Sequence, residues 1–414
     1  TKIFFLKRSG FSFFNLQKKA FTYIINMCLK IKQKFGMEVH YIVENNKAKM
    51  NEKEEIIFNS IRKNPYISQQ ELADILDLSR PTVANLISGL IKKGRILGKA
   101  YILNEAKQIV CIGGANVDRK FYIKDKAQLA TSNPVRSTQS AGGVARNVGE
   151  NLGRLGKEVI LLTACGTDSD WEAVKNASNT YMNLDYVTAF PSIATGSYTA
   201  VLENNGDLLV ALADMDAYDH LTPDVLAKNE GLLSQASAII ADLNCPKETL
   251  EYLGSFAEIN SIPLVLVPVS SPKMSHLPER LDHVTWLICN RDESETHLDM
   301  TIENDEDWRL AAQKWLDLGV KNVIVTNGSK GAVAANKAEG TIFEPAIVIE
   351  DIVDVTGAGD AFCSAVIYAW LEGKTLQEIL KAGSVNAART LESEYTVRQN
   401  LSTSQLQKDL EEFK

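Results

Sequence analysis

Asp354-Val-Thr-Gly-Ala-Gly-Asp360, followed at once by Ala361-Phe-Cys-Ser-Ala-Val366, is the stretch on which the reading of this 414-residue chain turns. Small residues run straight into an apolar helical segment. Successive backbone N–H groups can then reach an anion at a helix N-terminus, where unpaired donors and the helix dipole favour negative charge. A carboxylate at Asp360 beside that hole can take the proton of an attacking hydroxyl while the amides of Gly357, Ala358 and Gly359 stabilise a transferring phosphoryl group. The plain alternative is a helix-capping turn, and the neighbouring motifs decide against it.

Upstream, Ala141-Gly-Gly-Val-Ala-Arg-Asn147 leads into an apolar-periodic segment up to Gly156. Paired glycines, Gly142 and Gly143, allow backbone to approach a polyhydroxy ligand, and Asn147 can both donate to and accept from a hydroxyl. A tight strand-to-helix turn would read the same way. Earlier still, Asn116 and Asp118 stand two apart in Gly113-Gly-Ala-Asn-Val-Asp118, so an extended backbone turns both to one side, where they can chelate adjacent ribose hydroxyls. Turn-forming Asn and Asp remain the alternative there. Downstream, Thr326, Gly328 and Gly331 in Thr326-Asn-Gly-Ser-Lys-Gly331 follow a strand-like run and suit a nucleotide phosphate or ribose. Asn290-Arg-Asp-Glu293 closes another strand, and Glu293, directly or through water, is placed to hold Mg²⁺ against phosphates.

These motifs lie in a region of alternating apolar strands and helices, the pattern of a mostly parallel sheet covered on both faces. Core strands are expected at 109–112, 159–163, 238–241, 264–267, 286–289 and 322–326, and helices near 145–154, 247–258, 307–318, 359–371 and 376–391. A second texture interrupts the first units. Phe121-Tyr-Ile, Arg136-Ser-Thr-Gln and the pair 197–203 and 207–213 around Asn204-Asn-Gly206 read as antiparallel hairpin strands, a small β-lid over an α/β core.

Residues 50–107 differ, reading as three short helices and a wing. Ile56, Ile57, Phe58 and Ile61 face inward on the first helix, which Asn64-Pro65 stops. Ser68 and Glu71 form a capping box ahead of Leu72, Ile75 and Leu76. Ser79 and Pro81 open a third helix with Val83, Leu86, Ile87, Leu90 and Ile91 inward, Gly94 ends it, and 95–103 has the length of a two-stranded wing. The third helix would enter a major groove, showing Arg80, Thr82, Asn85 and Ser88, then Lys92, Lys93, Arg95 and Lys99. A packing module with a solvated polar face is the alternative. Residues 1–49 carry ten Lys or Arg against two acids, Glu38 and Glu44, and read either as a mis-extended start or as a membrane-surface or targeting segment.

Net charge is −8, which excludes a wholly basic nucleic-acid-coating protein and confines any DNA contact to a local patch. No uninterrupted apolar run is long enough to span a bilayer. The six cysteines show neither CxxC nor paired spacing, so they suit a reducing, cytoplasmic setting, and Cys111, Cys165 and Cys289, in or beside apolar strand-like runs, are expected as small buried hydrophobes.

Taken together, residues 108–395 resemble the ribokinase or PfkB family of carbohydrate and nucleoside kinases, whose two signatures occur in order around Gly142-Gly143 to Asn147 and Gly357 to Asp360. The resemblance implies an α/β ribokinase-like core with a β-lid in a domain spanning 108–414, and ATP with Mg²⁺ transferring a γ-phosphoryl group to a primary hydroxyl. A monovalent cation and a homodimer through the lid are further implications. It makes Asp360 the base and Gly357, Ala358 and Gly359 the anion hole. Asn116, Asp118, Gly143 and Asn147 fall where the family grips the sugar, and Thr326, Gly328 and Gly331 where it holds ATP. Gly142-Gly-Val-Ala-Arg-Asn-Val148, Leu209-Val-Ala-Leu-Ala-Asp-Met215 and Ser393-Glu-Tyr-Thr396 are similar to the pseudouridine-phosphorylating subgroup, which implies that nucleoside's 5′-hydroxyl as acceptor. Other nucleosides or ribose, or a ligand-sensing regulator built on a kinase fold, remain alternatives. Two positions depart from the pattern: Val267-Pro268 replaces a frequent Asp-Pro, and Trp171 stands where Gly is common.

Overall fold

The computed structural model describes residues 51–63, 67–93, 95–96 and 108–413. The basic segment 1–49, the Asn64-Pro65 stop, Gly94, nearly all of the wing, and Lys99 lie outside the described residues. The chain divides into two compact units near residue 104.

In the first unit three helices, Glu52–Lys63, Gln69–Leu76 and Arg80–Lys92, close on Ile57, Leu72, Ala73, Val83, Ile87 and Leu90. Ser68 and Glu71 make the expected reciprocal cap. Two expected core positions are corrected: Ile56 and Ile75 are exposed, because a helix of 12 residues and one of 8 each need only one narrow stripe to cover so small a core. On the third helix Arg80, Thr82, Asn85, Ser88 and Lys92 are all exposed. Lys93 is withdrawn from that cationic face, since its Nζ lies 2.6 Å from Glu54 Oε2 and so ties the first helix to the third.

The second unit is built on an eight-stranded sheet. Along the chain the strands are β1 (Ile109–Ile112), β2 (Asn116–Ile123), β3 (Val135–Gly142), β4 (Val159–Leu162), β5 (Ala164–Cys165), β6 (Thr188–Ala189), β7 (Ser197–Leu202) and β8 (Leu208–Asp214). They continue with β9 (Ala238–Asp242), β10 (Leu264–Val267), β11 (Val284–Asn290), β12 (Asn322–Thr326), β13 (Ala332–Asn336) and β14 (Gly340–Glu344). The main sheet runs β14-β13-β12-β11-β10-β9-β1-β4. It is parallel from β4 to β12, and the β13/β14 hairpin, absent from the sequence reading, extends it antiparallel.

Strand residues alternate between two cores, as the pleat requires. Val110, Ile112, Ile239 and Leu266 pack toward Leu250, Leu253, Trp308 and Trp315 of helices Lys247–Asn260 and Asp305–Asp317. Ile109, Cys111, Ile240 and Val265 pack toward Val148, Leu152, Phe362 and Val366 of helices Val144–Arg154 and Ala358–Leu371. All five described cysteines are buried and unbridged, as hydrophobes in this core.

A separate four-stranded sheet, β3-β2-β7-β8, forms the lid. The reading of all its strands as antiparallel needs one correction: β2 pairs with β7 in parallel. The two hairpins, β2/β3 and β7/β8, are antiparallel and lie far apart in sequence, so the chain between them returns to the start of β7 alongside β2.

Candidate active site

Successive strands run outward from β1 in opposite directions, to β4 on one side and to β9, β10 and β11 on the other. In open α/β sheets, ligands bind at the carboxyl ends of strands where the order reverses in this way. The crevice at the ends of β1 and β9 therefore holds the turn Gly113-Gly114, and Asp242 as the last residue of β9. Asp242 is 1 % exposed; its Oδ2 accepts N–H of Gly114 at 2.8 Å and of Ala145 at 2.9 Å, and its Oδ1 accepts N–H of Asn244 at 2.9 Å. One buried carboxylate thus pins both glycine-bearing turns of the site together. Burial pushes its pKa up while those donors oppose the shift. The sequence reading missed Asp242 and Asn244. Their signal was an acid closing an apolar run, Ala238 to Ala241, at the carboxyl end of a parallel strand.

Gly143 begins the next helix with φ of 98°, and a Cβ there would collide with Gly114 O. Only glycine allows that approach. Asn116 and Asp118 do share one side of β2, with Asn116 Nδ2 donating to Asp118 Oδ1 at 2.6 Å, and Gly142 pairs opposite Asn116. Burial raises Asp118 to about 6. Two positions further along the same face, Lys120 reaches out of the lid: its Nζ lies 2.5 Å from Asp354 Oδ2 and 2.9 Å from Thr356 Oγ1, just ahead of the expected anion hole.

Gly357 caps helix Ala358–Leu371 with φ of 84°, where a side chain would strike Thr396 O. Among its neighbours, Ala358 N–H leans to Val355 O at 3.4 Å. Asp360 sits in the first turn of this helix and accepts from Asn147 Nδ2 at 2.8 Å. Two motifs 213 positions apart in sequence are thereby joined. Burial raises Asp360 to about 7, Asn147 opposes this, and the negative charges of Asp242 and Asp118 add to it. A carboxyl poised there is matched to general base work near neutral pH.

On the other side of the same helix start lies a cavity of about 530 Å³, lined by Thr326, Gly328 and Gly331, by Ala358 and Gly359, and by an apolar wall including Val348, Ile352 and Leu391. A Cβ at Gly328 or Gly359 would stand in open space, so these positions leave room for a flat ligand against the wall. Asn290 and Glu293 instead form a reciprocal helix cap, Asn290 N–H to Glu293 Oε2 and Glu293 N–H to Asn290 Oδ1, both at 2.8 Å. Burial raises Glu293 to about 7, so a nearby cation would draw out its charge. Among the described residues no group of three or more His, Cys, Asp or Glu could hold a metal ion, and a divalent ion here would keep mostly phosphate and water ligands. Val267 is simply core, 4 % exposed. Trp171 lies over the N-terminus of helix Ser169–Ser178, its N–H bonded to the cap Asp168 at 2.9 Å.

A half-buried carboxyl at a helix N-terminus, beside a cavity with an apolar wall, suits phosphoryl transfer to an alcohol. Residues 106–403 match the pfkB family carbohydrate kinase, and the chain belongs to that family; residues 50–96 match a winged helix-turn-helix DNA-binding domain. It is thus a sugar or nucleoside kinase with a winged helix-turn-helix domain ahead of it. It is 31% identical over 330 residues to the uncharacterized sugar kinase YeiI of Escherichia coli, covering 80% of this chain and 90% of that protein. It is 30% identical over 301 residues to the pseudouridine kinase of the same organism, covering 72% and 95%. A carbohydrate kinase from Agrobacterium tumefaciens superposes with a TM-score of 0.66 at 32% identity, covering 74% of this chain and 97% of that one. Among the described residues no helix is long and apolar enough to cross a membrane.

Proposed function

We propose that this protein phosphorylates the 5′-hydroxyl of a nucleoside, pseudouridine first among them, using ATP and Mg²⁺. The observation that carries the reading is the meeting of Asn147 and Asp360 at 2.8 Å. The acceptor ribose rests against Asn116, Asp118, Asn147 and the backbone of Gly142 and Gly143. Its primary hydroxyl gives its proton to Asp360 as the oxygen attacks the γ-phosphorus and the bond to the β–γ bridging oxygen breaks. The Gly357, Ala358 and Gly359 amides take the charge that builds on the transferring group. The base of ATP lies along the apolar wall, with Thr326, Gly328 and Gly331 at its ribose and phosphates. Glu293, through water, with Asn290 beside it, would hold Mg²⁺, which would supply charge neutralisation to the phosphates.

The domain spans 108–414 and works in the cytoplasm as a homodimer joined through the lid. Residues 50–107 bind DNA through Arg80, Thr82, Asn85 and Lys92. Three points support pseudouridine: the 30% identical pseudouridine kinase, the subgroup-like Gly142–Val148 stretch, and the lid run Leu209–Met215. ADP release is the test, measured with ATP, Mg²⁺ and pseudouridine, uridine, cytidine, inosine, adenosine or ribose, with and without K⁺. The expected result is strong selectivity for pseudouridine; turnover of another acceptor replaces the substrate and keeps the mechanism. No turnover with any acceptor, alongside ligand-dependent DNA binding, overturns the kinase reading in favour of a sensor.

A further inference from the structure

Arg146 is 3 % exposed and points inward from the first turn of helix Val144–Arg154. An unpaired guanidinium could not stay there, and this one is fully engaged. Its Nε donates to Ser178 Oγ at 3.0 Å, one Nη donates to Asn147 Oδ1 at 2.8 Å and, more weakly, to Ala141 O at 3.5 Å, and the other pairs with Glu150 Oε2. Glu150, also 3 % exposed, is held in turn by Arg154 Nε at 2.8 Å. The pair lies one turn apart on the helix, so a single element carries both partners and the residue they orient.

We propose that Arg146 is a positioning residue for phosphoryl transfer, locking the side-chain amide of Asn147 so that its nitrogen, and not its oxygen, faces the base Asp360.

The chemistry of the donors fixes the direction. Arginine donates only, so the Asn147 atom facing it must be the oxygen. The other end of the same amide is then the NH₂ group, which donates to Asp360 Oδ2 at 2.8 Å and favours the ionised base. Without Arg146 the amide is free to turn over and set its carbonyl against the carboxyl, which favours the protonated and inactive form. The charged and titratable groups facing Asp360 are Asp118 from β2, Asp242 from the end of β9, Arg146 from helix Val144–Arg154, and Cys363 one turn along its own helix. Asp242 and Asp118 raise its proton affinity, the Cys363 thiol stays neutral, and Arg146 is the cation that offsets the two carboxylates.

The inference rests on the kinase reading of Asp360, so its test has one arm with activity and one without. Kinase pH profiles are compared for the parent protein, Arg146→Lys, and the double variant Arg146→Met with Glu150→Gln, whose methionine offers no donor to Asn147. The double variant removes the Arg146–Glu150 pair together, and Arg154, which loses Glu150, keeps Gln399 O at 2.8 Å and Gln399 Oε1 at 3.1 Å. In the parent the acid limb of kcat/KM is expected near 7. The double variant should move that limb up by about one unit, losing about tenfold at pH 6 and about twofold or less at pH 9. Arg146→Lys, which keeps a donor, should stay near the parent. A lowered rate at every pH with an unmoved limb would make Arg146 merely structural and overturn the proposal. The second arm needs no turnover and no variant: side-chain amide NMR of the parent with labelled asparagine. The Asn147 NH₂ resonance should shift with pH through the titration of Asp360, and an Asn147 amide that ignores pH between 5 and 9 would overturn the proposal even where no acceptor is found.

Discussion

Val159-Ile-Leu-Leu162 of β4 and Leu208-Leu-Val-Ala-Leu212 of β8 are both wholly apolar, and they meet opposite fates. All four residues of β4 are buried, whereas all seven of β8 are exposed, Leu208 by 57% and Leu212 by 59%. β4 lies at an edge of the main sheet with helices over its faces, and its apolar surface is what holds that sheet to them. β8 closes the edge of the lid with all its residues exposed, so its apolar surface adds little to the stability of one chain. The difference teaches that the two sheets divide the labour. The core sheet supplies stability and supports the helix of the proposed base, and on the proposed reading the lid supplies the acceptor contacts and β8 the strand left for a partner.

The sharpest way to break that division is Asp360→Asn. With the base on the core side, kcat should fall about 10³-fold, within the range of a general base, while the KM of the acceptor changes little. An unchanged kcat in steady-state assays would remove the core side from the chemistry. Next come truncations of one leucine in each sheet. Leu161 is completely buried, so Leu161→Ala should cost about 3 kcal/mol in urea denaturation, and Leu212→Ala about 0.5 kcal/mol or less. Equal costs would mean that the lid is part of the core.

Asp118 probes the lid side. Its carboxyl is raised to about 6 in the fold, so the folded state binds a proton more tightly than the unfolded chain, and stability is lost as pH climbs from the ordinary carboxylate value through about 6. Asp118→Asn removes that loss. At pH 8 the variant should be more stable by about 1 to 2 kcal/mol in thermal or urea melts, yet bind the acceptor worse, with KM raised about tenfold or more. A variant both less stable and unchanged in KM would sink this assignment. The smallest effect is on assembly: Leu212→Asp should shift sedimentation toward monomer while leaving the unfolding midpoint of the core within about 0.5 kcal/mol of parent. A parent that sediments as a monomer at every concentration would take the partner away from β8.

How legible the site was depended on distance along the chain. Asn116 with Asp118, and Gly142-Gly143 with Asn147, were readable because each group lies within one strand or one turn, where backbone periodicity alone sets which side chains converge. Lys120 was not. It lies in the same strand as Asp118, but its partners Asp354 and Thr356 come from a loop 234 and 236 positions away, and no local pattern announces such a pair. Lys93 shows the same limit in the small unit, where a cation read as free for phosphate is held by Glu54. The parallel pairing of β2 with β7 was missed because two hairpins can join by either edge, and only packing of the intervening chain selects one.

By itself, the sequence determined the alternation of strand and helix, the glycine turns and the helix N-terminus at Gly357. Each of these follows from local backbone sterics and from hydrophobic period, which need no knowledge of what lies across the fold. Tertiary structure alone decided that Asp242 ties two turns together, that Asn147 bridges Arg146 and Asp360, and that β8 stays uncovered while β4 is buried. Those outcomes depend on which distant surfaces meet and which buried charges find partners. Burial free energy is a property of that final contact set, and it can be read only once the chain has closed on itself.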